Sequence, residues 1–130
     1  AVAQADIVSS ATVSSEPIVR GAWVKPGTHV DLIGAYREDL RESDDELIAE
    51  CALFADTRAG AFGEAGDILQ PLKAGAIGKD ALLGDLFDLA GGKIKGRSDD
   101  RQITVFKSVG TALEDLAAAE YVFRRFTSQR

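Results

Sequence analysis

Four short blocks of apolar and β-branched residues stand out along the chain: residues 5–12 (ADIVSSAT), 29–35 (HVDLIGA), 52–57 (ALFADT) and 103–108 (ITVFKS). Each has the length of a strand and is bordered by turn-forming residues, Ser14-Ser15-Glu16-Pro17 after the first and Pro26-Gly27 before the second. Their continuous apolar character predicts strands buried on both faces. Ser43-Asp44-Asp45-Glu46 has the S-x-x-E form of a capping box ahead of Leu47, Ile48 and Cys51, so a helix is expected to begin there. Residues 58–80 are glycine-rich and mixed, and predict no more than short helical turns. Across residues 80–93, Leu82, Leu83, Leu86, Phe87, Leu89 and Ala90 recur at helical spacing before the Gly91-Gly92 stop, which predicts a helix. Val109, Ala112, Leu113, Leu116, Ala119, Val122, Phe123 and Phe126 mark a long amphipathic carboxyl-terminal helix. It could be capped by Thr111, in a second box with Glu114, or by Ser108. Strands alternating with helices predict an α/β fold around a mostly parallel sheet.

In such a sheet, ligands sit beyond the carboxyl ends of the strands. Three strand exits share a character: residues 9–14 (SSATVS), 32–36 (LIGAY) and 106–110 (FKSVG) leave through small side chains or glycine. Small exits allow close approach to the backbone, and free N–H groups there would suit anionic or carbonyl oxygens. Tight turning is the alternative explanation for any one exit. Three together point to a ligand, and Ser108 is then either a helix cap or a ligand-facing residue.

Composition narrows the function classes. The chain of 130 residues carries 15 Lys and Arg against 21 Asp and Glu, a net charge of −6, with the basic residues scattered. Nucleic acid and anionic membrane are therefore poor partners. A single cysteine, Cys51, excludes an internal disulfide, and His29 as the one histidine excludes the usual zinc spacings. Both are expected to be structural, Cys51 as a small apolar group on a helix packed against the sheet. No apolar stretch approaches the ~20 residues that span a bilayer. The opening residues do not read as a signal peptide, which leaves a reduced, cytoplasmic setting as the expectation. The acidic run 42–46 is explained by the helix dipole better than by a metal site. Residues 96–102 read as a solvated loop, and Glu64 and Asp67 as braces for the glycine-rich segment around them. No carboxylate cluster is expected to point inward.

The combination of SSAT (9–12), WVKPGTHV (23–30), GEAGDI (63–68) and TVFKSVG-x-A-x-ED (104–115) resembles the ornithine cyclodeaminase and mu-crystallin family in order through nearly the whole chain. The resemblance implies a dimeric, nicotinamide-dependent enzyme or binder whose Rossmann domain is joined to a separate substrate and dimerisation domain. It also implies that the chain begins at what would be the fourth strand, since no G-x-G-x-x-G is present. Residues 1–108 would form the second half of the NAD(P)-binding domain and residues 109–130 a carboxyl-terminal helix. The family's catalytic lysine and its carboxylate-binding arginine would lie upstream, so no catalytic residue is assigned.

By the same resemblance, Ala11, Thr12 and Val13 would line the nicotinamide half of NAD(P)H. Ile33, Gly34 and Ala35 would pass beneath the ring, Ser108 and Gly110 would complete that wall, and Tyr36 and Val109 would face substrate. Ornithine cyclodeaminases have an aspartate acting as acid or base where this chain has Tyr36, and a phenol, ionising near pH ~10, is a poor base at neutrality. This favours the branch that reduces cyclic imino acids, pyrroline-2-carboxylate or piperideine-2-carboxylate, to L-proline or L-pipecolate. Ornithine cyclodeamination and a non-catalytic binding or oligomerisation module remain the alternatives. No metal is expected. The bared flank of residues 5–12 and the long last helix imply self-association, as a homodimer or larger.

Overall fold

The fold, taken from a computed structural model, describes residues 1–128. Five parallel strands form one sheet in the order β1-β2-β5-β3-β4. They are β1 (Ile7–Ser10), β2 (His29–Leu32), β3 (Ala52–Ala55), β4 (Leu82–Asp85) and β5 (Thr104–Lys107). The helices are α1 (Asp45–Glu50), α2 (Arg58–Gly63), α3 (Gly66–Ala74), α4 (Leu86–Ala90) and α5 (Ala112–Thr127). The expected α/β class and parallel sheet are thus found. Residues 129 and 130 of the expected last helix lie outside the described residues.

Register fixes what the sheet presents. Val30, Val105 and Leu53 lie side by side across three strands, as do Leu32, Lys107 and Ala55. These apolar residues are fully buried and merge into one core with Leu47 and Ile48 of α1 and Ala65 and Ile68 of α3 and its cap. The opposite face is buried only in part, contrary to expectation: Ala52 and Phe54 of β3 and Thr104 of β5 are covered, but the rest is not. There Ile7 is exposed, and His29, Asp31 and Phe106 are only half-buried. Polar side chains alternate onto this face: Ser9 Oγ donates to Asp31 Oδ2 at 3.3 Å, and His29 Nδ1 lies 2.8 Å from Thr104 Oγ1. A period-two alternation of this kind marks a strand covered on one side.

Two expected helices are corrected. Residues 80–93 are not one helix, because Leu82 and Gly84 turn inward to extend the sheet beside β3 as β4. Only then does Asp85 start α4, accepting from the Asp88 amide at 3.0 Å. The leucine spacing fits a helix, but pairing with a fully buried β3 wins over local periodicity. Helix α1 is capped by Asp44, whose carboxylate accepts from Leu47 N at 3.0 Å, so Ser43 is free for another role. Cys51 ends α1 half-buried, and burial pushes its thiol up to about 12.

For the last helix the choice of cap is settled. Thr111 Oγ1 accepts from Glu114 N while the Glu114 carboxylate accepts from Thr111 N, a complete capping box. Ser108 is not its cap. None of the residues of α5 is buried: Leu113, Leu116, Tyr121, Val122, Phe123 and Phe126 are more than half exposed. No helix among the described residues is long and apolar enough to cross a membrane.

Candidate functional site

The three small exits emerge from neighbouring strands. Ser10 is level with Leu32, and Leu32 with Lys107, so residues 11–13, 33–36 and 108–110 leave one carboxyl edge of the sheet together. Their backbones continue the ladder, Ile33 N donating to Ser10 O at 2.8 Å and Ser108 N to Leu32 O at 3.0 Å. Ala11, Thr12 and Val13 are exposed, as are Ile33, Tyr36 and Gly110, while Gly34, Ser108 and Val109 are half-buried. Ala35 is fully buried, so its methyl faces the interior. Val109 packs on the core, and a Cβ on Gly60 would stand 2.5 Å from its Cγ2.

Beneath this edge lies a buried charged cluster of which the sequence singled out only Asp67, as a brace. Glu42, Asp56 and Asp67 are buried, together with the ammonium-bearing Lys107. Glu42 Oε1 accepts from Ser10 Oγ (2.7 Å), Thr12 N (2.5 Å) and Thr12 Oγ1 (2.8 Å), and its Oε2 accepts from Gly34 N (2.7 Å). One carboxylate thereby ties the exit of β1 to the exit of β2. Burial pushes the Glu42 carboxyl upward, but the hydrogen bonds from Ser10, Thr12 and Gly34 together outweigh it and hold it below its ordinary value. Asp56, at the end of β3, does the same for β5. Its Oδ2 accepts from Ser108 Oγ (3.2 Å), Val109 N (2.8 Å) and Gly110 N (2.7 Å), and its Oδ1 from Thr57 N (2.6 Å).

Asp67 connects the two halves. Its Oδ1 accepts from Glu42 N, Ser43 N and Ser43 Oγ, each at 2.8 Å, and its Oδ2 lies 3.3 Å from Lys107 Nζ. The expected brace is therefore Asp67; Glu64 is exposed at the end of α2. The acidic run is also divided: Asp45 and Glu46 sit in the first turn of α1 as the dipole requires, whereas Glu42 is turned inward.

Two expectations fall with this geometry. Inward carboxylates do exist, and the exit N–H groups are not free: those of Thr12, Gly34, Val109 and Gly110 all donate to them. The glycines also have local reasons. A Cβ on Gly34 would overlap the Thr12 backbone and approach Glu42 Oε1 to 2.6 Å, so the first two exits touch backbone to backbone. Gly110 has a φ of +86°, the left-handed region that glycine enters without strain. One sequence signal could have exposed Glu42: exits built of small residues have amide donors that need acceptors from elsewhere in the chain.

A surface of this kind suits a flat, uncharged or cationic group better than a phosphate, because the N–H groups of Thr12, Gly34, Val109 and Gly110 are spent on buried anions. Among the described residues no cluster of His, Cys, Asp and Glu is placed to hold a metal ion. A parallel α/β sheet whose strand exits gather at one edge gives the chain a Rossmann-like fold.

Comparison with known proteins narrows the class. The sequence profile of the ornithine cyclodeaminase/mu-crystallin family matches residues 1–130, and the chain belongs to that family. It is 51% identical over 124 residues to a Delta(1)-pyrroline-2-carboxylate reductase of Paracoccus denitrificans, covering 95% of this chain and 39% of that protein. It is 42% identical over 130 residues to the ketimine reductase mu-crystallin of Mus musculus, covering 98% and 38%. The solved Delta(1)-pyrroline-2-carboxylate reductase of Thermococcus litoralis, in complex with NADH and L-proline, superposes with a TM-score of 0.91 at 36% identity over 98% of this chain and 40% of that one. The chain spans about two fifths of the length of these relatives.

Proposed function

We propose that this chain forms the carboxyl-terminal part of the nicotinamide-binding domain of an enzyme that reduces a cyclic imino acid, pyrroline-2-carboxylate or piperideine-2-carboxylate, to L-proline or L-pipecolate. The observation that carries the reading is the convergence of three adjacent strand exits whose N–H groups are turned inward. Such an edge offers a planar ring a surface of methyl groups and backbone, and its buried carboxylates favour positive charge above it. A protonated imine and an oxidised nicotinamide ring both carry that charge. Likeness to two reductases of pyrroline-2-carboxylate, one of them solved with NADH and L-proline, supports the same reaction.

In this reading Ala11, Thr12 and Val13 border the nicotinamide half of NAD(P)H. Ile33 and Gly34 pass beneath the ring with Ala35 supporting them from within, and Ser108 and Gly110 close the wall. When bound, the reduced cofactor supplies a hydride to the carbon of the C=N bond. The chain's own contribution is to hold the ring and the imine in register and to keep the wall rigid through Glu42 and Asp56. Tyr36, exposed at the same edge, faces the substrate side in this reading, while Val109, which the family resemblance also assigns there, packs on the core. A tyrosine at that position supplies a hydrogen-bond donor and no carboxylate, which favours imine reduction over ornithine cyclodeamination.

The test is to assay the whole protein that carries this chain with NADH and NADPH on pyrroline-2-carboxylate, following loss of reduced-nicotinamide absorbance. Consumption of cofactor with stoichiometric proline is expected. Ammonia release from ornithine without net consumption of nicotinamide would overturn the reading in favour of the cyclodeaminase.

A further inference from the structure

Glu42 is anchored on every side and touches no surface. Its carbonyl accepts from Ile18 N and Val19 N, both at 2.9 Å, and its amide donates to Asp67. Its two carboxylate oxygens take all four donors that the first two exits direct inward, from Ser10, Thr12 and Gly34. The side chain is fully buried and needs no further partner. Such a group could serve stability alone. Its placement argues for more, because every group its carboxylate holds lies at the carboxyl edge, at the end of β1 or in the two exits that border the proposed ring site.

We propose that Glu42 is a positioning residue for the nicotinamide half of the cofactor: it sets the spacing of the β1 and β2 exits, and thereby the shape of the wall against which the ring lies. This rests on the nicotinamide-binding reading above. The mechanism is steric and follows from acceptor counting. A carboxylate offers acceptors on both oxygens, so it can hold Thr12 and Gly34 at once. A carboxamide in its place must turn an NH2 toward one of them, donor against donor, and the loop on that side must move away. Gly34 abuts the Thr12 backbone with no room to spare, so displacement of one exit displaces the other. The adenosine end of a dinucleotide does not meet these loops in this reading, and should not sense the change.

The experiment uses the whole protein carrying Glu42→Gln, measuring equilibrium binding of NADH and of ADP-ribose, which lacks the nicotinamide ring. Binding is expected to weaken about tenfold for NADH, corresponding to ~1.4 kcal/mol, and to stay within about twofold for ADP-ribose. Unchanged binding of both, or equal loss of both, overturns the proposal, since a residue needed only for stability gives one of those results. Should Glu42→Gln not fold, Ser10→Ala removes one of the four donors and is expected to show the same selective loss at smaller amplitude; equal or absent effects there overturn it as well. Failure of the unsubstituted protein to bind NADH defeats the nicotinamide reading itself, a result separate from a normal NADH affinity in the variant.

Discussion

Lys107 and Asp67 form an ion pair with both side chains at 0% exposure, 3.3 Å apart, and neither Lys107 Nζ nor Asp67 Oδ2 has a hydrogen-bond partner among the described residues. At that separation, an effective dielectric of ~20 gives an attraction of roughly 5 kcal/mol, which the cost of desolvating both ions largely offsets. The pair is therefore worth little against an apolar replacement and a great deal against a half-removed one. Lys107→Met keeps the length of the stem but leaves Asp67 Oδ2 buried without its cation, only Oδ1 keeping its three donors, at an expected loss of about 3–5 kcal/mol. Asp67→Asn keeps an oxygen for Glu42 N, Ser43 N and Ser43 Oγ but strands the ammonium, with a loss of similar size. The double variant leaves no buried charge from the pair, and is expected to recover at least ~2 kcal/mol relative to the sum of the singles. Equilibrium urea unfolding followed by far-ultraviolet circular dichroism at low protein concentration gives the measurement. The single variants should shift the midpoint down by about 2 M with unchanged slope. Additive losses in the double variant, with a coupling below about 0.5 kcal/mol, would refute the argument.

Three further outcomes are expected. Because the Glu42 carboxyl is held below its ordinary value of 4.5, the unfolded chain takes up the proton first as pH falls; the stability Glu42 contributes is complete above about pH 4.5 and is lost on acidification through the lowered value, so Glu42→Gln should flatten that part of a stability-versus-pH curve. Cys51, with its thiol pushed up to about 12 by burial, carries far less thiolate near neutral pH than an unfolded thiol, and should react with a disulfide reagent at least about a hundredfold faster in urea than in the folded state; equal rates would show that the thiol is not shielded. The isolated chain should sediment as a dimer or larger, because β1 is an edge strand and α5 exposes Leu113, Leu116, Val122, Phe123 and Phe126, and a monodisperse monomer at high concentration would count against this.

The parts of the fold legible in the sequence are those where local and tertiary signals agree. Residues 29–32 and 104–107 read as strands because β-branched residues fall in a run bounded by turns, and they form β2 and β5 in the middle of the sheet. Thr111 and Glu114 are legible because a capping box is a local device and closes on itself. Residues 82–85 fail for the opposite reason. Their leucines satisfy a helical period, and only the presence of β3 alongside, which ends at Ala55 far back along the chain, makes them a strand. The three exits were legible as neighbours in type, small and polar, and the order β1-β2-β5 brings them to one edge.

Glu42 was not legible, and the reason extends to the site as a whole. In a run of charged residues, solvation is the ordinary explanation, and nothing local distinguishes Glu42 from Asp45 or Glu46. What distinguishes it is a debt of hydrogen-bond donors created elsewhere. A parallel strand that ends at a tight exit leaves amides pointing along the edge, and small side chains cannot turn back to satisfy them. Water could do so, but then the exits would be free to breathe and a ring laid against them would meet a soft wall. Buried carboxylates satisfy several donors at once with charge-assisted bonds, so each fixes more than one loop: Glu42 joins two exits, and Asp56 closes the third from the neighbouring strand. Three buried anions would repel one another and strain the core, which gives Lys107 its place. Its ammonium meets Asp67, and Asp67 in turn holds the backbone of Glu42. Rigidity at the edge and charge inside the core are therefore the same feature, reached from residues 42, 56, 67 and 107, none of which meets the ligand in this reading.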